Sequence, residues 1–346
     1  MAHNIHFNEQ TGKHSIFSVN EKPWHGLGQI VTEYPTSKQV LEYAGLNFIV
    51  EKRELFTLNK TNGNIDLKVP EYFATVRTDT QAVLGMVGKQ YEVVQNEDAF
   101  LFFDAIVQVE GILYETAGAL GKGERILITA KLPNYIKVGR EDLIEQYLFL
   151  TTSHDSSGSI TAAFTPVRIL CNNTLNAALK NRSNSIKIRH TANAKERLEQ
   201  AHQLMGITNT LSSQLEDIFN SWSKVRITDE AVLKLIQLAL VPNKEVLHNI
   251  KAGKQDELSA QFTSVCNAAF EYAMTSPSQQ LDTTKGTLFG AYNAVTGYLQ
   301  NVRNYKSEEV KLKSILFGGT GQQRAQAAFN ICTDYAAKGD SILHLN

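Results

Sequence analysis

The spacing of apolar residues changes near residue 190, and this change restricts the chain to few architectures. Before it, short apolar runs alternate with turn-forming residues, a pattern typical of strands joined by hairpins. After it, apolar residues recur three and four positions apart, as on one face of a helix. We therefore predict an α+β fold, with an N-terminal antiparallel hairpin-rich sheet and packed helices followed by an all-α C-terminal half.

Seven strands are predicted in the first part of the chain. Gly121-Lys122-Gly123 suits a hairpin turn between two of them. Asn96 is placed to cap a helix whose first turn holds Glu97 and Asp98 and whose body, 99–109, is buried, and Asn172 or Asn173 to cap another. A second hairpin has its tip at Ser153–Ser159. The predicted strands are Glu54–Leu58, Phe73–Arg77, Val83–Val87, Tyr91–Val94, Leu113–Leu120, Arg125–Leu132 and Gln146–Thr152, with a further strand over 160–170 after the tip.

A long amphipathic helix is predicted at the start of the second half. Its apolar face either packs against the same chain or takes part in self-association, and the spacing leaves both open. Further helices begin at Thr228, end before Pro242 and Pro277, and cover 287–305 and 322–337. The spacing is carried by Leu198, Ala201, Met205, Thr208, Ser212, Leu215, Phe219 and Trp222.

These patterns divide the chain into three segments. Residues 1–20 are polar with little apolar periodicity, so we predict an N-terminal arm there. A sheet domain is expected over 21–190 and a helical domain over 191–346.

Basic and acidic residues are segregated in one part of the chain. The forty residues between Asp155 and Glu196 contain no acidic side chain, whereas the formal charge of the whole protein is only -1. Such segregation builds a local positive surface of the kind that meets phosphates. The alternative is a solvated charged face. The basic residues of this acid-free segment are Arg168, Lys180, Arg182, Lys187, Arg189 and Lys195.

Aromatic residues lie in the strands beside this segment. Tyr147, Phe149 and Phe164 could stack bases next to phosphate-binding cations if their rings were exposed. Strand alternation sends some of them into the core instead.

The Ser153–Ser159 loop holds serine, histidine and aspartate side by side, which suggests a hydrolase. Catalytic triads draw their members from separate parts of a fold, however, and no GxSxG elbow is present. A polar hairpin tip whose His154 bonds a phosphate is the favoured hypothesis. Gly318-Gly319-Thr320-Gly321 indicates a turn between helices, because the GxxxxGK[ST] arrangement is absent.

The sequence offers little support for a metal, a cofactor or a membrane. The histidines and cysteines show no zinc-type spacing, so we expect no metal ion or cofactor. Cys171, Cys266 and Cys332 lie apart in apolar segments and are read as structural thiols of a reducing compartment. No window approaches the apolar length of a membrane span, and the N-terminus lacks a secretory signal pattern.

Four separated motifs occur in order along the chain. They are Trp24-His25-Gly26-Leu27-Gly28, Gly88-Lys89-Gln90-Tyr91 with Gln95-Asn96, Ser153-His154-Asp155 leading to Thr165-Pro166-Val167-Arg168 and Cys171-Asn172-Asn173-Thr174, and the late motif Gly290-Ala291-Tyr292-Asn293-Ala294-Val295-Thr296. Together they resemble the phage/plasmid-like protein family catalogued as domain of unknown function 932. The chain departs from the family at Gly297, where an acidic residue is expected.

The resemblance implies a phage, prophage or plasmid origin and a bacterial cytoplasmic location, without an established reaction. Phage single-strand annealing proteins offer a weaker analogy, because they share the order of a hairpin-rich sheet followed by a helix and often form rings.

We expect a homo-oligomeric nucleic-acid-binding protein, with single strands favoured, rather than an enzyme. Its contacts would be the six basic residues of the acid-free segment together with His154. Two alternatives stay open: a metal-dependent nucleotide or nucleic-acid hydrolase that uses His154 and Asp155, and an interaction protein that counters host defence through its helical half.

Overall fold

The computed structural model describes residues 5–9, 11–20, 27–58, 65–101, 104, 111–156, 160–165, 185–188, 194–306, 310–311, 314–315 and 319–344. The strands are β1 Phe7–Asn8, β2 Lys13–His14, β3 Ile16–Val19, β4 Gln29–Val31, β5 Val50–Leu58, β6 Ile65–Arg77, β7 Val83–Gly88, β8 Leu113–Leu120, β9 Arg125–Val138, β10 Asp142–Ser153, β11 Ile160–Thr165 and β12 Ser185–Ile188.

The helices are α1 Ser37–Tyr43, α2 over 96–101, α3 Ala194–Trp222, α4 Asp229–Leu240, α5 Lys244–Lys251, α6 Ala260–Thr275, α7 Leu288–Gly297 and α8 Thr320–Lys338. A π-helical turn, Tyr298–Val302, continues α7. Five of the helices begin at a side chain that accepts a hydrogen bond from a backbone N–H of the first turn, which stabilises the helix start. These residues are Thr36, Thr228, Asn243, Ser259 and Thr287.

The strands form three sheets. The largest has the order β12-β11-β10-β9-β8-β3-β4, and every pair in it is antiparallel except β3 with β4. The second, β5-β6-β7, is an antiparallel meander, and β1 pairs with β2 in a short ribbon.

Cross-strand register builds one face of the large sheet. Phe17, Ala117, Ile128, Leu150 and Ala162 stand opposite one another across β3, β8, β9, β10 and β11, and each is at most 1% exposed. Because alternate residues of a strand point to opposite faces, this row forms part of one buried face of the sheet.

Helix α3 joins the sheet to the other helices. It contacts β9, β11 and β12, and Glu216 in its C-terminal half still accepts from the Lys137 N–H of β9. Near its end, Phe219 and Trp222 pack on Tyr292 of α7 and Phe329 of α8. Apolar side chains from Phe17 to Leu343 form one connected core. The predicted apolar face of this helix therefore packs within the chain, since Met205, Leu215, Phe219 and Trp222 are buried.

The predicted α+β fold, sheet first and helices after, is confirmed. The hairpin turn at 121–123 joins β8 to β9, and β8 has the predicted bounds. The predicted strand at Tyr91–Val94 is wrong, because these residues form the loop before α2 and Gln95 precedes the first helical residue.

The beginning of the chain also differs from the prediction of an arm. β3 lies inside the large sheet beside β8, and Phe17 and Val19 are buried. The strand is hard to detect in the sequence, because it has only four residues, one of which is Ser18, and because its antiparallel partner β8 lies about a hundred residues away.

Candidate functional site

The motif residues of the sequence meet where the two larger sheets touch. We call this region the inter-sheet joint. It takes Thr75 from β6, His154 from the end of β10, and three polar side chains from the loop between β7 and α2 and from the start of α2. The joint consists of Thr75, Tyr91, Gln95, Asn96, Ser153 and His154.

His154 is the centre of the joint and is only 1% exposed. Its Nε2 lies 2.9 Å from Asn96 Oδ1, its carbonyl oxygen accepts from Thr75 Oγ1 at 2.6 Å, and its N–H donates to the Glu124 carbonyl at 2.7 Å. Because the Asn96 Nδ2 donates to the Leu46 carbonyl, Asn96 Oδ1 faces the ring and His154 Nε2 must be the donor. These bonds hold the end of β10 to α2, to β6 and to the β8–β9 turn.

Gln95 acts as a substitute for a strand partner. Its Oε1 accepts from the Val50 N–H at 3.0 Å and its Nε2 donates to the Val50 carbonyl at 2.9 Å. Tyr91 donates its hydroxyl to the Ser153 carbonyl at 2.9 Å, and burial, helped by the charge of Asp155, raises the Tyr91 pKa. The motif side chains thus satisfy backbone groups that the interrupted sheets leave without partners.

A buried arginine also connects the two larger sheets. Arg77 of β6 is fully buried, stacks 3.7 Å from the Phe48 ring centroid and donates to the Lys122 carbonyl in the β8–β9 turn at 2.9 Å. Asp79 neutralises it through bonds of 3.0 and 2.6 Å. Burial opposes ionisation of Asp79, but the bonds from Arg77 outweigh it and lower the Asp79 pKa. Arg77 was not predicted as a site residue, because its only signal in the sequence is a cation at the end of an apolar strand.

The acid-free segment lies partly outside the described residues. Four of its six candidates, Arg168, Lys180, Arg182 and Arg189, are not among the residues that the structure describes. Lys187 pairs with Thr161 on β12, the outermost described strand of the large sheet, and Lys195 is the second residue of α3.

The other side chains that were predicted to contact phosphates or bases are buried. His154 is enclosed in the inter-sheet joint, so it does not belong to an exposed phosphate-binding surface. Tyr147, Phe149 and Phe164 are 0%, 4% and 0% exposed, so none of them presents a ring to a base. The reason is that the middle of β10 is covered on both faces, which strand alternation cannot reveal.

Within the described part of the chain, no group of three or more His, Cys, Asp or Glu side chains is arranged to hold a metal ion. None of the described helices combines the length and apolar character needed to cross a bilayer. Cys266 and Cys332 are buried thiols, and burial raises the Cys266 pKa to about 12. Cys171 lies outside the described residues.

Comparison with known families gives one match. The model of a domain of unknown function, DUF932, matches residues 83–316, which is more than half of the chain. The chain belongs to this family. No curated protein and no solved structure matches it.

The matched DUF932 region contains Ser153 and His154 of the joint as well as the late motif 290–296, and all of these residues except Asn293 are buried. In the late motif, Tyr292 packs between Trp222 and Phe329. A Cβ atom at Gly290 would lie 1.8 Å from the Thr284 carbonyl oxygen, so only glycine fits there. At Gly297 a Cβ atom would lie 2.1 Å from the Tyr272 ring, so an acidic side chain at this position would require that ring to move.

Proposed function

We propose that this DUF932 protein binds nucleic acid through the acid-free segment, whose cations neutralise backbone phosphates. The observation that carries the proposal is the absence of acidic residues between Asp155 and Glu196 alongside six basic ones, in a protein with a formal charge of -1. Surfaces with mixed charges attract and repel phosphates at once, whereas a one-sign segment attracts them only.

The position of the segment supports this assignment. It begins at the β10–β11 turn, supplies β11 and β12, the last two described strands on one side of the large sheet, and ends in the first turn of α3. Lys187 therefore belongs to a sheet strand and Lys195 to a helix, and phosphate contacts made from such elements would fix the orientation of a bound strand.

Single strands are the form of nucleic acid that we favour, by the resemblance to phage annealing proteins. We further propose that the protein acts as a homo-oligomer in a bacterial cytoplasm, as part of a phage or plasmid system for replication or recombination. The hydrolase alternative receives no support from His154, because its ring is enclosed and its Nε2 is held by Asn96.

The test measures affinity for a fluorescent single-stranded oligonucleotide by anisotropy over a range of salt concentrations. The variant replaces Lys180, Arg182, Lys187 and Arg189 with Gln. We expect it to bind more weakly, and the slope of log affinity against log salt to become shallower by about 3, at about 0.7 per lost phosphate contact.

A matched control has the same change in net charge elsewhere. It replaces the exposed residues Lys224, Lys244, Lys251 and Lys285 with Gln and should keep the wild-type slope. Affinity that does not depend on salt, no binding to single or double strands, or equal losses in the two variants would contradict the proposal. Tighter binding to a duplex would contradict only the preference for single strands.

A further inference from the structure

A cleft opens between α3 and the β9–β10 hairpin, away from the inter-sheet joint. Its volume is about 270 Å³. The floor consists of the buried residues Leu132, Gln146, Met205 and Thr208, while exposed residues such as Asn134 and Ser213 form the rim. At about 30 Å³ per water molecule the cleft has room for about nine waters, which is the scale of a small organic ligand.

The cleft exists because the β9–β10 ladder is interrupted. Tyr147 pairs with Lys131, but Glu145 pairs with Tyr135, so three residues of β9 stand opposite Gln146 alone. One of the three is Pro133, which has no N–H to donate to the ladder. Irregularities of this kind redirect side chains and occur preferentially beside binding sites.

Gln146 places an amide group in the floor of the cleft that lacks a hydrogen-bond partner in the described part of the chain. Its side chain is 1% exposed, yet its Nε2 has no hydrogen-bond partner among the described residues. A buried amide without a partner has lost its hydrogen bonds to water without replacement, so such groups are rare unless something else bonds them. A ligand in the cleft would supply the missing acceptor.

The opposite wall presents neutral polar groups. Thr208 already donates its hydroxyl to the Leu204 carbonyl, which leaves its oxygen as an acceptor. Asn209, Ser212 and Ser213 follow along α3, and Glu216 closes one end, where its Oε2 accepts from the Lys137 N–H at 3.0 Å. No Lys, Arg or His is among the described residues that line the cleft, so its chemistry does not favour an anion.

We propose that this cleft binds an uncharged nucleobase or nucleoside. A base presents flat apolar faces to Leu132 and Met205, acceptors to the Gln146 amide, and amino or imino donors to Glu216. Carboxamides form well-matched pairs of hydrogen bonds with base edges. The site lies on another part of the chain and does not depend on the proposed phosphate contacts.

The experiment titrates the whole protein with adenosine, guanosine, cytidine and uridine, followed by calorimetry and by ligand-detected NMR. We expect at least one nucleoside to bind saturably, and its 5′-monophosphate to bind more weakly because Glu216 repels the added charge. Gln146→Leu should weaken binding about tenfold or more, the effect of losing a matched hydrogen-bond pair.

Two further variants separate a local loss from misfolding. Ser213→Trp blocks the rim without touching the floor and should also abolish binding. Gln237→Leu makes the same replacement on α4, away from the cleft, and should bind like the wild type. Because Gln146→Leu removes an unpaired buried amide, its melting temperature should equal or exceed that of the wild type.

The proposal fails if none of the four nucleosides binds to the folded protein. It also fails if Gln146→Leu and Gln237→Leu weaken binding equally. Glucose is titrated in the same way as a neutral polar compound that is not a base. Binding of glucose without binding of any nucleoside would also contradict the proposal, because the ligand would then belong to another chemical class.

Discussion

His6 shows how a single buried side chain links the N-terminal residues to both sheets. Arg77 Nη1 lies 3.1 Å from His6 Nε2, and His6 Nδ1 lies 2.7 Å from Ser15 Oγ. An arginine can only donate, so His6 Nε2 must accept, and the ring must be neutral with its proton on Nδ1. Burial, followed by the charge of Arg77, lowers the His6 pKa to about 4.

This pKa predicts how the stability of the protein depends on pH. The folded pKa is depressed below the ordinary value of 6.5, so between these values the unfolded chain binds more protons than the folded one. The stabilisation is therefore complete above pH 6.5 and is lost as the pH falls towards 4. We expect His6 to contribute a loss on the order of 3 kcal/mol over this range.

Urea unfolding of the wild type and of His6→Gln at several pH values measures this contribution. The difference between their free energies of unfolding should shrink as the pH falls from 7 to 4, because glutamine can accept from Arg77 but does not titrate. Carboxylates that titrate in the same range cancel in that difference. Parallel stability curves for the two proteins would contradict the neutral, buried assignment of His6.

At the scale of strands and helices, elements with a local signal were predictable and elements that depend on distant partners were not. The bounds of β8 and the course of α3 follow from alternation and from three-and-four spacing, both of which are local. β3 was not predictable because it is only four residues long and its antiparallel partner β8 is remote in sequence. The loop at Tyr91–Val94 looked like a strand because Tyr and Val favour strands, but Tyr91 is used to bond Ser153.

The site was less predictable than the fold for a related physical reason. Sequence motifs located the joint residues His154 and Asn96 but could not show that they bond each other rather than a ligand. Gln146 carried a weak signal, since it is a polar residue at the head of an apolar strand. Only the register of β9 against β10 reveals that its amide lies in a cleft.

The contact between β7 and the turn after β10 offers a test of how the elements are held. A Cβ atom at Gly85 would lie 2.5 Å from Asp155 Cα, which is backbone and cannot rotate away. Gly85→Ala should therefore separate β7 from this turn and lower the free energy of unfolding by roughly 1–3 kcal/mol, as overpacking does.

Gly88→Ala, in the same strand, is the matched control. A Cβ atom there meets nothing within 4 Å, so the stability should change little. Thermal and urea unfolding of the wild type and of both variants measure these changes in the free energy of unfolding. Equal stability of the two variants would show that β7 and the turn are not in close contact.

For the whole molecule, the continuous core predicts that the sheet and the helical half unfold together. Helix α3 carries the connection, because Leu204 and Met205 are buried in its N-terminal half, which contacts the sheet, whereas Trp222 near its end packs among the helices. Two domains with separate cores would show separate transitions, since cooperativity requires shared buried surface.

The experiment uses Trp222 fluorescence in a Trp24→Phe background to report on the helices, and hydrogen exchange of β9 and β10 to report on the sheet.

Leu150→Ala removes a fully buried side chain from the sheet and should lower the free energy of unfolding by about 2–5 kcal/mol. Both signals should then shift to lower urea together, although Leu150 lies in the sheet. Leu281→Ala, at an exposed position, should shift neither. A Trp222 transition that stays in place in Leu150→Ala would mean that the halves are energetically separate, and the connected core would then be a geometric contact without cooperative consequence.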